Sequence, residues 1–169
     1  MKLLITAPII LLMLASCGGQ SVEFIVGGQG ALHLVNNLKN IESCEAYRID
    51  DSYPGESEVV FDKKIHGYGV ISDPVNLDLP DRVLLSQALV DSKTYFHYSE
   101  PIDCLFRPGV AFRFSDASNE LNLLICFSCN ELEYFLAGEK VGGSYFRSVK
   151  IKELAKKLFP DDPSIQSLK

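Results

Sequence analysis

Residues 110–137, VAFRFSDASNELNLLICFSCNELEYFLA, decide the fold class because three apolar runs alternate with short polar segments. Aromatic and aliphatic side chains, which are common in strands, predominate in residues 110–114, 120–127 and 131–137. Residues 115–119 have the Ser, Asp and Asn content of a turn. The three runs therefore predict an antiparallel meander.

The register of the first hairpin follows from its turn. If Phe114 faces Leu121, then Val110 faces Ile125, because paired antiparallel strands run in opposite directions with a fixed sum of residue numbers. The segment before Gly109 is then carried toward the end of the second strand.

Helical patterns surround these strands. Apolar residues recur at helical spacing within residues 30–40, and Asp78-Leu79-Pro80-Asp81 is typical of a helix start that leads to a helix ending near Asp91. Ser148 is the predicted cap of a last helix, which Pro160 ends.

Shorter strands are predicted at residues 43–49, 59–61, 67–71 and, as a further edge strand, 141–146. Residues 50–58 read as a loop. The prediction is a single α+β domain over residues 21–169, with an antiparallel sheet covered on one face by two or three helices.

The first residues of the chain predict export. Lys2 precedes an apolar stretch over residues 3–14, which is the organisation of a signal peptide. This stretch is shorter than the roughly 20 residues that a membrane-spanning helix needs. Residues 1–16 are therefore expected to be a signal that is removed.

The sequence Leu14-Ala15-Ser16-Cys17 resembles the lipobox of bacterial lipoproteins, in which an aliphatic and two small residues precede an obligatory cysteine. The resemblance implies a diacylglyceryl group on the Cys17 sulfur, cleavage before Cys17 and acylation of the new N-terminus. Several acyl chains anchor a protein durably in a lipid bilayer. Residues 17–20 would be a short tether.

Gly18 stands where an aspartate would resemble an inner-membrane retention signal. In a Gram-negative host, the periplasmic face of the outer membrane is therefore the expected location. Removing the signal takes away only Lys2 among the charged residues, so the formal charge of −6 becomes −7. An acidic chain without a basic stripe is a poor candidate for binding nucleic acid.

The four cysteines of the expected domain, Cys44, Cys104, Cys126 and Cys129, allow three complete disulfide pairings. An exported location permits disulfides. Because the hairpin register brings Cys104 toward the CxxC segment, we expect a disulfide from Cys104 to either Cys126 or Cys129.

Two alternatives remain for Cys126-Phe127-Ser128-Cys129. A redox dithiol normally lies at a helix N-terminus, whereas a strand carrying Glu131 and Glu133 is predicted here, and those carboxylates would raise a thiol pKa. A zinc site would use Cys104, Cys126 and Cys129, with His97 or Cys44 as a fourth ligand. No cofactor is predicted, and zinc is the alternative.

The span from Cys104 to Phe114, followed by Leu124 to Cys129, resembles uncharacterised exported bacterial proteins in which C-x-x-x-P precedes an RF strand and a CFxC strand follows. The resemblance covers about 30 residues and brings no activity with it. It implies that Cys104, Cys126 and Cys129 belong to one structural unit.

Other residue types that could support chemistry have simpler interpretations. The chain contains no GxSxG, HExxH, P-loop or dinucleotide-binding motif. The glycines at 27, 28 and 30 are expected to form a turn, and His33 and His66 to be partly exposed. The acidic pairs 50–51 and 161–162 are expected to lie in turns and Glu131 and Glu133 to be solvated on one strand face, with acid–base chemistry or calcium binding as the alternative. Tyr95, Phe96 and Tyr98 are expected to pack inside, with the lining of a ligand groove as the alternative.

The sequence thus predicts a noncatalytic, membrane-tethered lipoprotein that binds a protein or another envelope component, or has a structural role in the envelope. The alternative is a periplasmic metal-binding or thiol-redox protein that uses Cys104, Cys126 and Cys129.

Overall fold

The computed structural model describes residues 21–56, 58–100 and 102–169. The predicted signal peptide, the lipobox with Cys17 and the tether lie outside these ranges. The described helices are α1 (Val22–Val26), α2 (Gln29–Asn36), α3 (Leu79–Val90), α4 (Val149–Leu158) and α5 (Pro163–Gln166), and a 3-10 turn covers Ser92–Thr94. The described strands are β1 (Ser43–Arg48), β2 (Lys64–Ile65), β3 (Tyr68–Gly69), β4 (Val75–Asn76), β5 (Tyr95–Phe96), β6 (Val110–Ser115), β7 (Glu120–Cys126), β8 (Glu131–Leu136) and β9 (Glu139–Phe146).

Seven strands form one antiparallel sheet in the order β4-β1-β6-β7-β8-β9-β5, and β2 pairs with β3 in a separate hairpin. The α+β prediction and the C-terminal meander are therefore confirmed. The predicted edge strand is β9, but β5 pairs along its outer side. No helix within the described ranges is long and apolar enough to cross a membrane.

The predicted register of the first hairpin is confirmed. The turn between β6 and β7 is fixed by the Asp116 carboxylate, which accepts hydrogen bonds from the backbone N–H groups of Ser118 and Asn119 at 2.8 Å each. These two bonds hold the pKa of Asp116 below its usual value. The cross-strand pairs are Phe114 with Leu121, Phe112 with Leu123, and Val110 with Ile125.

One face of the sheet packs against the helices and forms the main core. Phe112 and Phe114 of β6 lie on this face, with Leu121 and Leu123 of β7 opposite them, all completely buried. Side chains alternate between faces along a strand. The residues between them therefore point to the other side of the sheet, which we call the outer face.

The outer face is only partly covered. The β2–β3 hairpin brings Ile65 and Tyr68 against Tyr47, Ala111 and Leu124, which form a second and smaller cluster. The rest of the outer face, toward β8 and β9, carries charged residues and aromatic rings.

The predicted helix caps are confirmed. Asp78 caps α3 by accepting a hydrogen bond from Asp81 N at 2.9 Å, and Ser148 caps α4 by accepting one from Ile151 N at 3.3 Å. Lys157 of α4 donates to both oxygens of the buried Asp81 carboxylate, at 2.7 and 2.8 Å. The first turn of α3 is thereby attached to α4.

The strand predicted at residues 59–61 is wrong. Val60 is 91% exposed, and the strand pairing of this region lies in β2 and β3 instead. Phe61 packs its ring where a side chain at position 69 would otherwise lie, so that Gly69 is needed for close contact. Phe61 therefore packs against the β2–β3 hairpin and does not pair with a neighbouring strand in the described ranges.

Helix α1 packs against β9 through a strand position that has no side chain. A Cβ at Gly142 would overlap the carbonyl oxygen of Ile25 and would lie 2.8 Å from Gly27 N. Because these neighbours are backbone atoms, they cannot move aside as a flexible side chain can. Gly142 therefore sets the distance between α1 and the sheet.

We predict that Gly142→Ala lowers the free energy of unfolding by roughly 1–3 kcal/mol, as overpacking does. Gly30→Ala is the matched control, because a Cβ at this α2 position would lie 3.6 Å from Leu136 Cδ2, an ordinary contact. The control should raise the free energy of unfolding by about 0.5–1 kcal/mol through the lower chain entropy of alanine. Chemical denaturation of both variants tests the close packing of α1, and equal effects would contradict it.

Candidate functional site

The cysteine unit lies where β7 turns into β8. Cys126 ends β7 and Cys129 lies in the following turn, while Cys104 belongs to the irregular segment that precedes β6. The hydrogen bond from Gly109 N to Ile125 O, 2.9 Å long, continues the β6–β7 ladder to this point. The hairpin thus brings the three cysteines into one region.

The structure bonds Cys104 to Cys129, with their Cα atoms 5.8 Å apart. Cys126 keeps a free, buried thiol. Its sulfur accepts a hydrogen bond from Arg107 N at 3.4 Å and lies 3.2 Å from the Ser128 hydroxyl. The disulfide joins the segment before β6 to the β7–β8 turn.

This arrangement differs from those of a zinc site and of a redox dithiol. Sulfurs bonded to each other are not thiolate ligands, and in the described ranges no group of three or more His, Cys, Asp or Glu side chains is placed to hold a metal ion. The CxxC segment is followed by β8 rather than by a helix, so no helix dipole favours its thiolates. Cys44 lies in the main core, where burial raises its pKa to about 12.

We predict that nonreducing peptide mapping recovers Cys104 and Cys129 as one linked pair. The free energy of unfolding should fall by the same amount, about 3 kcal/mol, in Cys104→Ser, in Cys129→Ser and in the double variant. Each of them removes the same disulfide, which closes a loop between residues 25 positions apart. Cys126→Ala is the control that retains the bridge. Free alkylation of all three cysteines in the native, metal-free protein would contradict the disulfide, and protection by stoichiometric zinc would favour the metal-site alternative.

A second cluster lies on the outer face, at the edge formed by β8, β9 and β5. Glu131 is paired directly with Tyr145, and Tyr145 with Phe96, so the three side chains form a row across three strands. In the next row Glu133 faces Gly143, which leaves a gap. The resulting cavity of about 330 Å³, which we call the edge pocket, is lined by His97, Glu131, Glu133, Lys140, Gly143, Ser144 and Tyr145.

The two carboxylates of the edge pocket are unequally neutralised. Lys140 forms an ion pair with Glu133, whereas no residue of the described chain forms an ion pair with the half-buried Glu131. Burial, and then the nearby charge of Glu133, raise the pKa of Glu131, although Lys140 lowers it. The pocket therefore has an excess of negative charge at Glu131.

An aromatic wall adjoins these carboxylates. Tyr98 contacts Phe96 and Tyr145 edge to face, with ring centroids 4.9 and 4.8 Å apart, and the Cζ atom of Arg147 lies over the Phe96 ring, 4.8 Å from its centroid. Tyr98 remains exposed. The prediction that Tyr95, Phe96 and Tyr98 pack inside therefore holds only for Tyr95, whose hydroxyl donates to Leu89 O in the core.

The remaining predicted candidates neither line the edge pocket nor belong to the cysteine unit. His33 is exposed and contacts Asn37 at 3.3 Å, while His66 stacks on Phe135, and burial lowers its pKa. Asp50 caps the turn at Ser52, with 3.0 Å to its backbone nitrogen. The glycine-rich segment at 27–30 connects α1 to α2, as a turn should.

Asp162, from the acidic pair 161–162, has a structural role. It caps α5 and accepts a hydrogen bond from the buried Arg48 guanidinium at 2.6 Å. Burial would raise the pKa of Asp162, but the bonds from Arg48 and from Ile165 N hold it below its usual value.

The sequence offered a groove lined by Tyr95, Phe96 and Tyr98 only as an alternative, and it did not predict that Glu131, Glu133 and β9 would form a pocket beside these aromatic residues. The aromatic wall of the edge pocket depends on the pairing of β5 with β9, and β5 has only two residues. A usable signal is the pair Gly142-Gly143 in an otherwise strand-like run, since glycine within a strand often marks close backbone approach or space for a ligand.

Comparisons of the chain with protein-family models, with curated proteins and with solved structures found no match.

Proposed function

We propose that this chain is an exported, lipid-anchored protein that binds a ligand without transforming it. The anchor is supported by the signal-like residues 1–16 and by the lipobox that ends in Cys17, all of which lie outside the described residues. The expected location is the periplasmic face of the outer membrane in a Gram-negative host. The bilayer is the partner of the acylated Cys17.

The edge pocket is the proposed binding site. The observation that supports it is that Glu131 is half-buried there and has no ion-pair partner in the described chain. A half-buried carboxylate with a raised pKa costs stability whenever it is ionised, unless a cation reaches it. Uncompensated polar groups of this kind are expected at functional sites. An ammonium or guanidinium group of a ligand would neutralise Glu131, while the rings of Tyr145 and Tyr98 would contact its apolar part.

The anchor predicts the behaviour of Cys17→Ser. This variant should not receive the diacylglyceryl group, and it should accumulate as uncleaved precursor or be released from the membrane. Intact mass and detergent-phase partition measure both effects. Gln20→Ala, which leaves the lipobox unchanged, is the control that should remain lipidated. A mass and partition of Cys17→Ser equal to those of the wild type would contradict the anchor.

The binding site predicts opposite effects of Glu131→Gln on stability and on binding. The pKa of Glu131 is raised in the folded protein. Protonated Glu131 therefore contributes fully to the free energy of unfolding below its pKa in the unfolded chain, and this contribution is lost as the pH rises through its pKa in the folded protein. Glu131→Gln should therefore be more stable than the wild type at pH 7, with the difference vanishing toward pH 3. Glu139→Gln, an exposed position at the start of β9, is the control.

In the same variants, titration with phenethylammonium by calorimetry tests ligand binding, with 2-phenylethanol as the neutral analogue. The wild type should prefer the cation, and Glu131→Gln should weaken its binding about tenfold, as expected for loss of a hydrogen bond to a charged group. Equal binding of the cation and the alcohol, or an unchanged affinity in Glu131→Gln, would contradict a cation site at the edge pocket.

A further inference from the structure

Helix α1 presents an aromatic side chain to the outside of the domain. Phe24 is 67% exposed, whereas its neighbours Ile25 and Val26 are buried at 3% and 0%. The helix begins at the Ser21 cap, whose hydroxyl accepts a hydrogen bond from Phe24 N at 3.3 Å. Phe24 is therefore held outward by a helix whose other apolar residues are used in the core.

The proposed lipid site lies very near this helix along the chain. Only residues 18–20 separate Cys17 from Ser21, and none of them is charged. Four residue steps span at most roughly 14 Å even when fully extended. A lipidated Cys17 would therefore keep the start of α1 within about that distance of the bilayer surface.

The surface beside Phe24 suits close approach to lipid. A groove of about 590 Å³ runs between α1 and β9, and Val141, Gly142 and Gly143 line its strand side. The charged residue that lines the groove is Glu23, which is acidic, so the groove would approach lipid through apolar contact and not through attraction to anionic headgroups. Phe, Trp and Leu side chains on the apolar face of an interfacial helix are buried at the boundary between headgroups and acyl chains.

We propose that the membrane-facing surface of the domain consists of Phe24 and the α1–β9 groove, and that the Phe24 ring inserts into the bilayer interface. This inference rests on the proposed lipid anchor, because the short reach from Cys17 is what brings α1 to the membrane. Phe24 then adds apolar contact to the acyl chains and limits the rotation of the domain about its tether. The occupant of the surface is phospholipid.

The chain contains no tryptophan, so a single substitution introduces a unique fluorescent probe. Phe24→Trp places it on the proposed membrane face, and this exposed position should accept the larger ring without changing the core. Ile71→Trp is the matched control. Ile71 is 50% exposed and its backbone nitrogen bonds to Arg48 O, which places it beside β1, four strands from β9. That separation is about 19 Å across the sheet.

Full-length lipidated variants would be reconstituted into phosphatidylcholine vesicles with brominated acyl chains. We expect the Phe24→Trp emission to shift to the blue and to be quenched several-fold more strongly than that of Ile71→Trp. The same comparison in the Cys17→Ser background should show no quenching at either position.

The intact mass of each reconstituted protein separates the two proposals. If the protein carries lipid but Phe24→Trp is quenched no more than Ile71→Trp, the membrane face is wrong while the anchor stands. If the mass shows no lipid, the anchor is wrong, and the membrane face that depends on it is wrong as well.

Discussion

The register of the β6–β7 hairpin is the constraint on which the other features depend. With Phe112 opposite Leu123, the aromatic side chains of β6 enter the helix-covered core. A slip of one residue would turn them to the outer face and bring Arg113 into the core, since strand side chains have a period of two. Two interactions at opposite ends oppose such a slip, namely the Asp116 turn and the Cys104–Cys129 disulfide.

How far the sequence predicts this structure depends on the length of each element. The long meander strands and the capped helices α3 and α4 carry enough periodic apolar residues to be recognised, and the register follows from one turn. β4 and β5 have two residues each and become strands only because β1 and β9 offer free edges. Val60 shows the converse, because this β-branched residue is 91% exposed and lies outside every described strand, although its residue type favours strands.

The same limit explains the outcome for the two candidate sites. The cysteine unit could be located from the hairpin register, although the choice of Cys129 over Cys126 depends on the turn geometry after β7. The edge pocket brings together side chains from three strands, and the aromatic residues of one segment divide between the core and the surface according to the pairing of β5. The Gly142-Gly143 pair can indicate space at this edge, but it does not indicate which aromatic residues lie beside that space.

The two edges of the sheet differ in how their charges are satisfied. On the β1 side, the buried Arg48 guanidinium donates to Asp162 and to the carbonyls of Ile49 and Gly109. Its charge, which would be costly alone, is paired with the Asp162 carboxylate, and this pair attaches α5 to the sheet. On the β9 side, Glu131 stays half-buried without a described ion-pair partner.

Two glycines of β9 allow close packing on one face and leave space on the other. Gly142 lets α1 approach on the core face, and Gly143 borders both the α1–β9 groove and the edge pocket on the outer face. One strand therefore separates the proposed membrane surface from the proposed ligand site. The Arg48–Asp162 ion pair lies toward the opposite edge of the sheet, so the interactions that hold α5 to the sheet are separate from both proposed surfaces.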